Sequence, residues 1–238
     1  MDKKTREKKI YKVTVLGSVV NIVLVVLKFV FGILGHSAAM IADAVHSLSD
    51  LITDIVVLLF VKLSNKPQDS DHDYGHGKYE TLATSLIGLA LLFVGVMICY
   101  GGVEKIIMAL NGEPLQQPGY VAFIAAVLSV VLKEWVYRFT VKVGKAVDSQ
   151  AVIANAWHHR SDAFSSIGTA LGIGGAIFLG SRWAVLDPIA AVVVSLFIIK
   201  TALTLIRQAS DELLEKSLSD DVEKEVKSLA YAGRYISL

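Results

Sequence analysis

The sequence predicts an all-α membrane protein with six transmembrane helices, cytoplasmic termini and a short cytoplasmic helical tail. Three observations support this prediction. Hydrophobic residues make up 54% of the 238-residue chain and charged residues only 19%. Apolar windows long enough to cross a bilayer recur along the chain, and lysine and arginine cluster in alternate connections. A chain this apolar cannot hide its hydrophobic surface in one soluble domain.

Each transmembrane helix needs roughly 20 predominantly apolar residues. Windows of that kind occur at about 13–34, 39–63, 80–103, 119–141, 152–179 and 184–206. Prolines support these boundaries, because Pro67, Pro114 and Pro118 fall between windows and Pro188 lies in the first turn of the last one. We therefore divide the chain into a basic N-terminal segment (1–12), a six-helix transmembrane domain (13–206) and a short tail (207–238).

Basic residues precede the first window, surround the connection after the second window and lie at the connection after the fourth. They are Lys3, Lys4, Arg6, Lys8, Lys9, Lys12, Lys62, Lys66, Lys78, Arg138, Lys142 and Lys145. The alternate connections carry only Lys105 and Arg182. The positive-inside rule then predicts that both termini are cytoplasmic.

The basic N-terminal run could be a nucleic-acid-binding arm or an anchor at the lipid surface. Because it directly precedes an apolar window, we favour the anchor and expect no nucleic-acid partner. The single cysteine, Cys99, excludes both a disulfide framework within the chain and a CxxC metal site.

Histidine and aspartate together, at helical spacing, stand inside two of the predicted spans. Each costs on the order of 2.5–3.5 kcal/mol on insertion scales, so such residues are functional candidates. The second span contains Asp43, His46, Asp50 and Asp54, at spacings that place all four on one helical face. The fifth span repeats the spacing of four with His158 and Asp162.

Two helices that each present a histidine and an aspartate can supply two imidazoles and two carboxylates to one ion. This donor set is compatible with tetrahedral zinc, whereas calcium and magnesium prefer six or more oxygens. The alternative is that these groups pair with one another or with lysine and arginine. The repeated spacing favours a metal site, with His159 and Arg160 on other faces in packing roles or supporting the ligands.

Two further groups of charged residues are candidates. The connection after the second span contains a second potential metal site, Asp69, His72 and His76, although a solvated loop would be equally rich in aspartate. In the fourth span, Lys133 and Glu134 are expected to neutralise each other. Asp43, Asp54, Lys78 and Glu134 are possible accessory residues.

Four segments, in this order on six predicted spans, resemble the cation diffusion facilitator family over about residues 10–215. They are GHSAAMIADAVHSLSD, DHDYGHGKYE, KEW and HHRSD. The resemblance implies a homodimeric antiporter of the inner membrane, and not an enzyme. It would export Zn²⁺ or a related ion in exchange for protons, by alternating access.

The resemblance also implies residue roles. The transport site falls on His46, Asp50, His158 and Asp162, and the loop site falls on Asp69, His72 and His76. A salt bridge is expected from Lys78 to an acidic residue after the last span, either Glu215 or Asp211. Members of the family usually continue into a larger cytoplasmic domain, and we expect most of that domain to be missing here.

The transported metal is less well defined by the sequence. In the family, histidine plus aspartate on both helices is associated chiefly with zinc. Members with aspartate at the first position also carry cadmium, and manganese members typically lack these histidines. Iron, cobalt and nickel stay open, because ligand type alone does not separate them from zinc.

Two other classes of protein are alternatives to a transporter. An intramembrane zinc protease would need an HExxH motif, which the sequence lacks. A membrane metal sensor or assembly scaffold, which binds the ion without moving it, is compatible with the same residues.

Overall fold

The structure is a computed structural model that describes residues 3–64, 69, 78–217 and 220–234. Within the helices, the description omits the side chains of residues 3–7, 53–64, 80, 151, 154, 158, 220–221 and 230–234.

Seven α-helices make up nearly all of the described chain. They are α1 (Lys3–Leu34), α2 (Ala38–Ser64), α3 (Lys78–Leu110), α4 (Tyr120–Ala146), α5 (Gln150–Phe178), α6 (Leu186–Leu213) and α7 (Asp220–Arg234). A short 3₁₀ turn, Ser181–Trp183, precedes α6. The six predicted windows coincide with α1 to α6. Several helices run past their windows, because polar residues continue the helix beyond the apolar part.

Four helical segments among the described residues are long and apolar enough to cross a membrane. They are Lys8–Leu34, Thr81–Leu110, Tyr120–Ala146 and Ser181–Leu213. Of the helices that coincide with predicted spans, α2 and α5, which carry the predicted metal ligands, fall outside this set. Membrane crossing by α2 and α5 and the cytoplasmic position of both termini stay predictions.

Small residues allow α3 to lie directly against α6. Gly88, Gly95 and Gly102 repeat every seven residues on one face of α3, and a Cβ atom at each would meet α6 at 3.2 Å or less. At Gly102, that Cβ would stand 2.6 Å from Val192 Cγ2. The absence of a side chain at these three positions therefore allows α3 and α6 to pack closely.

The helix α2 occupies the centre of the bundle, where it contacts α1, α3, α5 and α6. The buried core is correspondingly built from α2 and its neighbours, with Met40, Ile173 and Ile198 fully buried. This placement brings the polar face of α2 into the interior and opposite α5.

The start of α2 is held by α6. The Asp187 carboxylate, in the first turn of α6, accepts hydrogen bonds from Ser37 Oγ at 2.5 Å and from the backbone N–H of Ala38 at 2.8 Å. Ser37 Oγ in turn accepts from the N–H of Met40 at 3.0 Å. Because the first N–H groups of a helix lack partners within it, these bonds cap α2 and fix its register against α6.

Candidate metal centre

The structure brings together three of the predicted ligands. One ligand atom each from His46 and Asp50 on α2 and from Asp162 on α5 lies within 4.8 Å of the others. Ligand atoms about 2.1 Å from a tetrahedral zinc ion would stand about 3.4 Å apart. Small side-chain rotations are therefore enough to close the three groups around one cation.

The surroundings of these groups suit a buried ligand set. Asp162 is buried, and His46 and Asp50 are half-buried. His46 Nδ1 is shielded from solvent, and no described residue offers it a hydrogen bond. A shielded ring nitrogen of this kind is chemically suited to a metal ion.

Two predicted residues of this site, His158 and Asp54, lie on described helices, but their side chains do not belong to the described part of the structure. The backbone of α5 is helical at His158, so this residue precedes Asp162 by about one turn and shares its face. Its role as the fourth ligand stays a prediction.

A cavity of about 880 Å³ adjoins the three ligands. It follows α5 and α6 from Asp162 to Leu186, where α6 begins, and its wall includes Phe164, Ile189 and Phe197. Apolar walls lower the local dielectric constant and strengthen the attraction between a cation and carboxylates. The cavity supplies space for an ion between the ligands and the end of the bundle where α6 starts.

Asp43, a predicted accessory residue, lies in an ion pair and outside this ligand group. Its Oδ2 stands 2.7 Å from Lys28 Nζ, and both side chains are fully buried. The prediction overlooked Lys28, although it is an ionisable residue inside the first apolar window. The alternative interpretation of these aspartates, that they pair with lysine or arginine, therefore holds for Asp43.

The predicted neutralisation of Lys133 by Glu134 is wrong. Lys133 Nζ donates to the backbone oxygen of Asp162 at 3.3 Å, whereas Glu134 Oε1 accepts from Arg138 Nε at 2.7 Å. Adjacent residues on an α-helix diverge by about 100°, which separates their charged groups. Lys133 thus lies beside the ligand-bearing turn of α5, and Glu134 pairs one turn along α4.

The packing roles expected of His159 and Arg160 are confirmed. Arg160 donates to Tyr137 Oη at 3.0 Å and stacks its guanidinium over the Tyr137 and Trp157 rings. His159 is buried against α1, where a Cβ on Gly17 would stand 3.2 Å from its Nε2.

The loop site lies mostly outside the described residues. His72 and His76 belong to that undescribed part, and Asp69 is exposed. A site at these residues therefore stays a prediction.

The salt bridge expected after the last span is present. Lys78 Nζ lies 2.8 Å from Glu215 Oε1, while Asp211, the second choice, pairs with Lys216. The hydrogen bond and charge of Lys78 lower the pKa of the exposed Glu215 carboxyl. This contact links the start of α3 to the residues that follow α6.

Comparison with known proteins places the chain in a family. Residues 14–214 match the model of the cation efflux transmembrane domain. The chain is 37% identical over 230 residues to the manganese efflux system protein MneP of Bacillus subtilis, an alignment that covers 95% of this chain and 76% of that protein.

Two further relatives come from distant organisms. Identity is 36% over 219 residues to metal tolerance protein C1 of Arabidopsis thaliana, which covers 87% of this chain and 46% of the relative. It is 31% over 217 residues to the magnetosome protein MamB of Magnetospira sp., which covers 91% and 72%. The chain therefore belongs to the cation efflux, or cation diffusion facilitator, family and is a multi-pass cation transporter of the plasma membrane.

Proposed function

We propose that this chain exports Zn²⁺ through a site formed by His46, Asp50, His158 and Asp162. The observation that carries the proposal is the convergence of His46 and Asp50 with Asp162 from two different helices. Buried carboxylates repel one another unless a cation or a proton lies between them. A divalent cation with imidazole and carboxylate ligands satisfies all of these groups at once.

Two metals have specific support. Imidazole ligands favour zinc over manganese, because Mn²⁺ stands at the weak end of the divalent series and prefers oxygen donors. Manganese has the support of the relative's name, since MneP is a manganese efflux protein. We propose zinc as the main substrate and manganese as the competing candidate. If the histidines select zinc, replacing one of them by aspartate should raise the affinity for manganese relative to zinc.

The proposed mechanism is alternating access coupled to protons. Metal binding requires neutral histidine and ionised aspartate, so protons that bind to the same groups weaken the hold on the metal. A proton gradient can then drive metal release without a separate proton relay. In this proposal, α2 and α5 face the cytoplasm when the metal enters and the opposite side when it leaves.

The topology and the assembly belong to the same proposal. We propose six membrane-spanning helices with both termini in the cytoplasm and a homodimer as the working form. The loop residues Asp69, His72 and His76 would hold a second ion. These points rest on the charge distribution of the connections and on membership of the family.

Zinc flux into proteoliposomes under an imposed pH gradient tests the proposal. Asp162→Ala should reduce zinc uptake to the level of empty liposomes, because the site loses a charged ligand. Asp211→Ala, which removes an exposed carboxylate, should leave uptake unchanged. Equal zinc uptake by the wild type and Asp162→Ala would contradict the proposal, and binding of zinc without uptake would favour a sensor or scaffold.

A further inference from the structure

A buried lysine lies at the centre of a polar cluster beside the metal centre. Lys28, on α1, is fully buried, and its Nζ stands 2.7 Å from Asp43 Oδ2. The same ammonium donates to Ser47 Oγ at 2.9 Å and to Ser166 Oγ at 3.1 Å. We refer to Lys28, Asp43, Ser47 and Ser166 as the Lys28 cluster.

The cluster matches the bonding capacity of lysine. An ammonium group has three N–H donors and no acceptor, and the three contacts of Lys28 use all three donors. Ser166 completes the cluster, because its hydroxyl donates to Asp43 Oδ2 at 3.1 Å. The charge is therefore both paired and fully hydrogen-bonded within the membrane domain.

Each member on α2 and α5 is close in sequence to a metal ligand. Asp43 precedes His46 by three residues, and Ser166 follows Asp162 by four. Residues three or four apart are neighbours on a helix surface. The Lys28 cluster therefore joins the two ligand-bearing helices about one turn away from the ligands.

Helix packing alone does not require this cluster. Burial of an ammonium and a carboxylate in an apolar interior carries a desolvation cost that a well-packed apolar pair of similar volume would avoid. Directional hydrogen bonds have an effect that apolar contacts lack: they fix the distance and the rotation of α2 relative to α5. Ligand separation depends on these same two quantities.

We infer that Lys28 is a positioning residue for the transported metal. Through Asp43 and Ser166 it sets the separation of α2 and α5, and with it the spacing of His46 and Asp50 from Asp162. This inference rests on the proposed function. A fixed, short spacing favours a four-coordinate ion such as zinc over Mn²⁺, which takes more ligands, so the cluster contributes to the choice of metal.

The test is a charge-neutral double variant of the full chain, Lys28→Met with Asp43→Asn. It removes the ion pair without leaving a buried charge unpaired. The matched control is Lys216→Met with Asp211→Asn, which removes an exposed pair of the same 2.7 Å separation. Zinc and manganese binding are measured by calorimetry on purified protein, together with the unfolding temperature and the KM and kcat for zinc flux.

The expected result is a double variant that unfolds near the wild-type temperature but binds zinc about 10- to 100-fold more weakly. The ratio of its zinc affinity to its manganese affinity should decrease. In the flux measurement, KM for zinc should rise by a larger factor than kcat falls. The control variant should match the wild type in all of these quantities. A folded double variant with wild-type zinc affinity and wild-type preference would overturn the inference.

A second variant keeps the inference testable if the double variant does not fold. Ser166→Ala retains both charges and removes only the link to α5, so it should shift zinc affinity and metal preference in the same direction. Ser195→Ala is its control, because Ser195 is a buried serine whose hydroxyl donates to Val192 O within its own helix. Wild-type binding by a folded Ser166→Ala protein would also overturn the inference.

The two proposals fail in different ways. If Asp162→Ala leaves zinc binding unchanged, the proposed metal site is wrong, whatever the Lys28 variants do. If Asp162→Ala abolishes zinc binding while the folded Lys28 variants bind normally, the site stands and only the positioning role of Lys28 is wrong.

Discussion

Aspartates on one face of α2 have different surroundings and therefore different roles. Asp43 and Asp50 lie seven residues apart, yet Asp43 pairs with a buried lysine, whereas Asp50 stands with His46 and Asp162. A carboxylate held by a fixed ammonium fixes the relative position of the helices that carry the two groups. A carboxylate that faces a histidine and another carboxylate can instead bind an exchangeable cation.

A residue-scale prediction concerns the choice of metal. His46→Asp exchanges an imidazole for a carboxylate and makes the site richer in oxygen, which should raise the affinity for manganese relative to zinc by about tenfold or more. Competition between the two metals for binding to purified wild-type and variant protein measures this ratio. A ratio that is the same in both proteins would remove the ligand-type argument for zinc.

The element scale shows what the sequence could predict. The six apolar windows identified α1 to α6, because hydrophobic length is a local property of the chain. The partners of charged residues depend on how the helices pack, which the sequence does not show. The predicted pairing of Lys133 with Glu134 was wrong for this reason, because their side chains diverge on α4 and each contacts a different group. Lys28 is visible in the sequence as a charge in an apolar window, but its three acceptors could not be predicted, because α2 and α5 supply them through packing.

An element-scale prediction uses two adjacent glycines on α3. A Cβ at Gly102 would stand 2.6 Å from Val192 Cγ2, whereas nothing lies within 4 Å of a Cβ at Gly101. Gly102→Leu should therefore separate α3 from α6 and cost about 1–3 kcal/mol of stability. Gly101→Leu adds the same side chain and should leave the unfolding temperature in detergent nearly unchanged.

Equal unfolding temperatures for Gly102→Leu and Gly101→Leu would contradict the close packing of α3 against α6. The comparison is direct, because both variants change the hydrophobicity and the helix propensity of α3 by the same amount.

At the scale of the whole molecule, a contact between residues 137 apart in sequence joins two helices. Lys78, at the start of α3, pairs with Glu215, just after the end of α6. The other helices pack around α2. Asp187, at the start of α6, caps α2 and so holds α2 against the end of α6 opposite to Glu215. Together these contacts connect the ligand-bearing helix α2 to the α3–α6 pair.

The Lys78–Glu215 pair predicts a pH dependence of stability. Lys78 lowers the pKa of Glu215 in the folded protein below its ordinary value of 4.5. The carboxylate therefore contributes stability above about pH 4.5, and that contribution is lost as the pH falls through the lowered pKa. Wild type should unfold at a slightly higher temperature than Glu215→Gln near neutral pH, and the difference should vanish in acid.

Unfolding temperatures of the two proteins between neutral pH and about pH 3 check this expectation. A high salt concentration at neutral pH should also shrink the difference, because both side chains are exposed. A difference that grows as the pH falls would show that Glu215 is not stabilised as a carboxylate.

The central claim is that a transported divalent metal binds between α2 and α5. Anomalous X-ray diffraction from crystals soaked in zinc, recorded at the zinc absorption edge, locates the ion directly. The expected result is a peak within about 2.2 Å of ligand atoms of His46, Asp50 and Asp162. A zinc peak elsewhere in the membrane domain, with no peak between these three side chains, would contradict the claim.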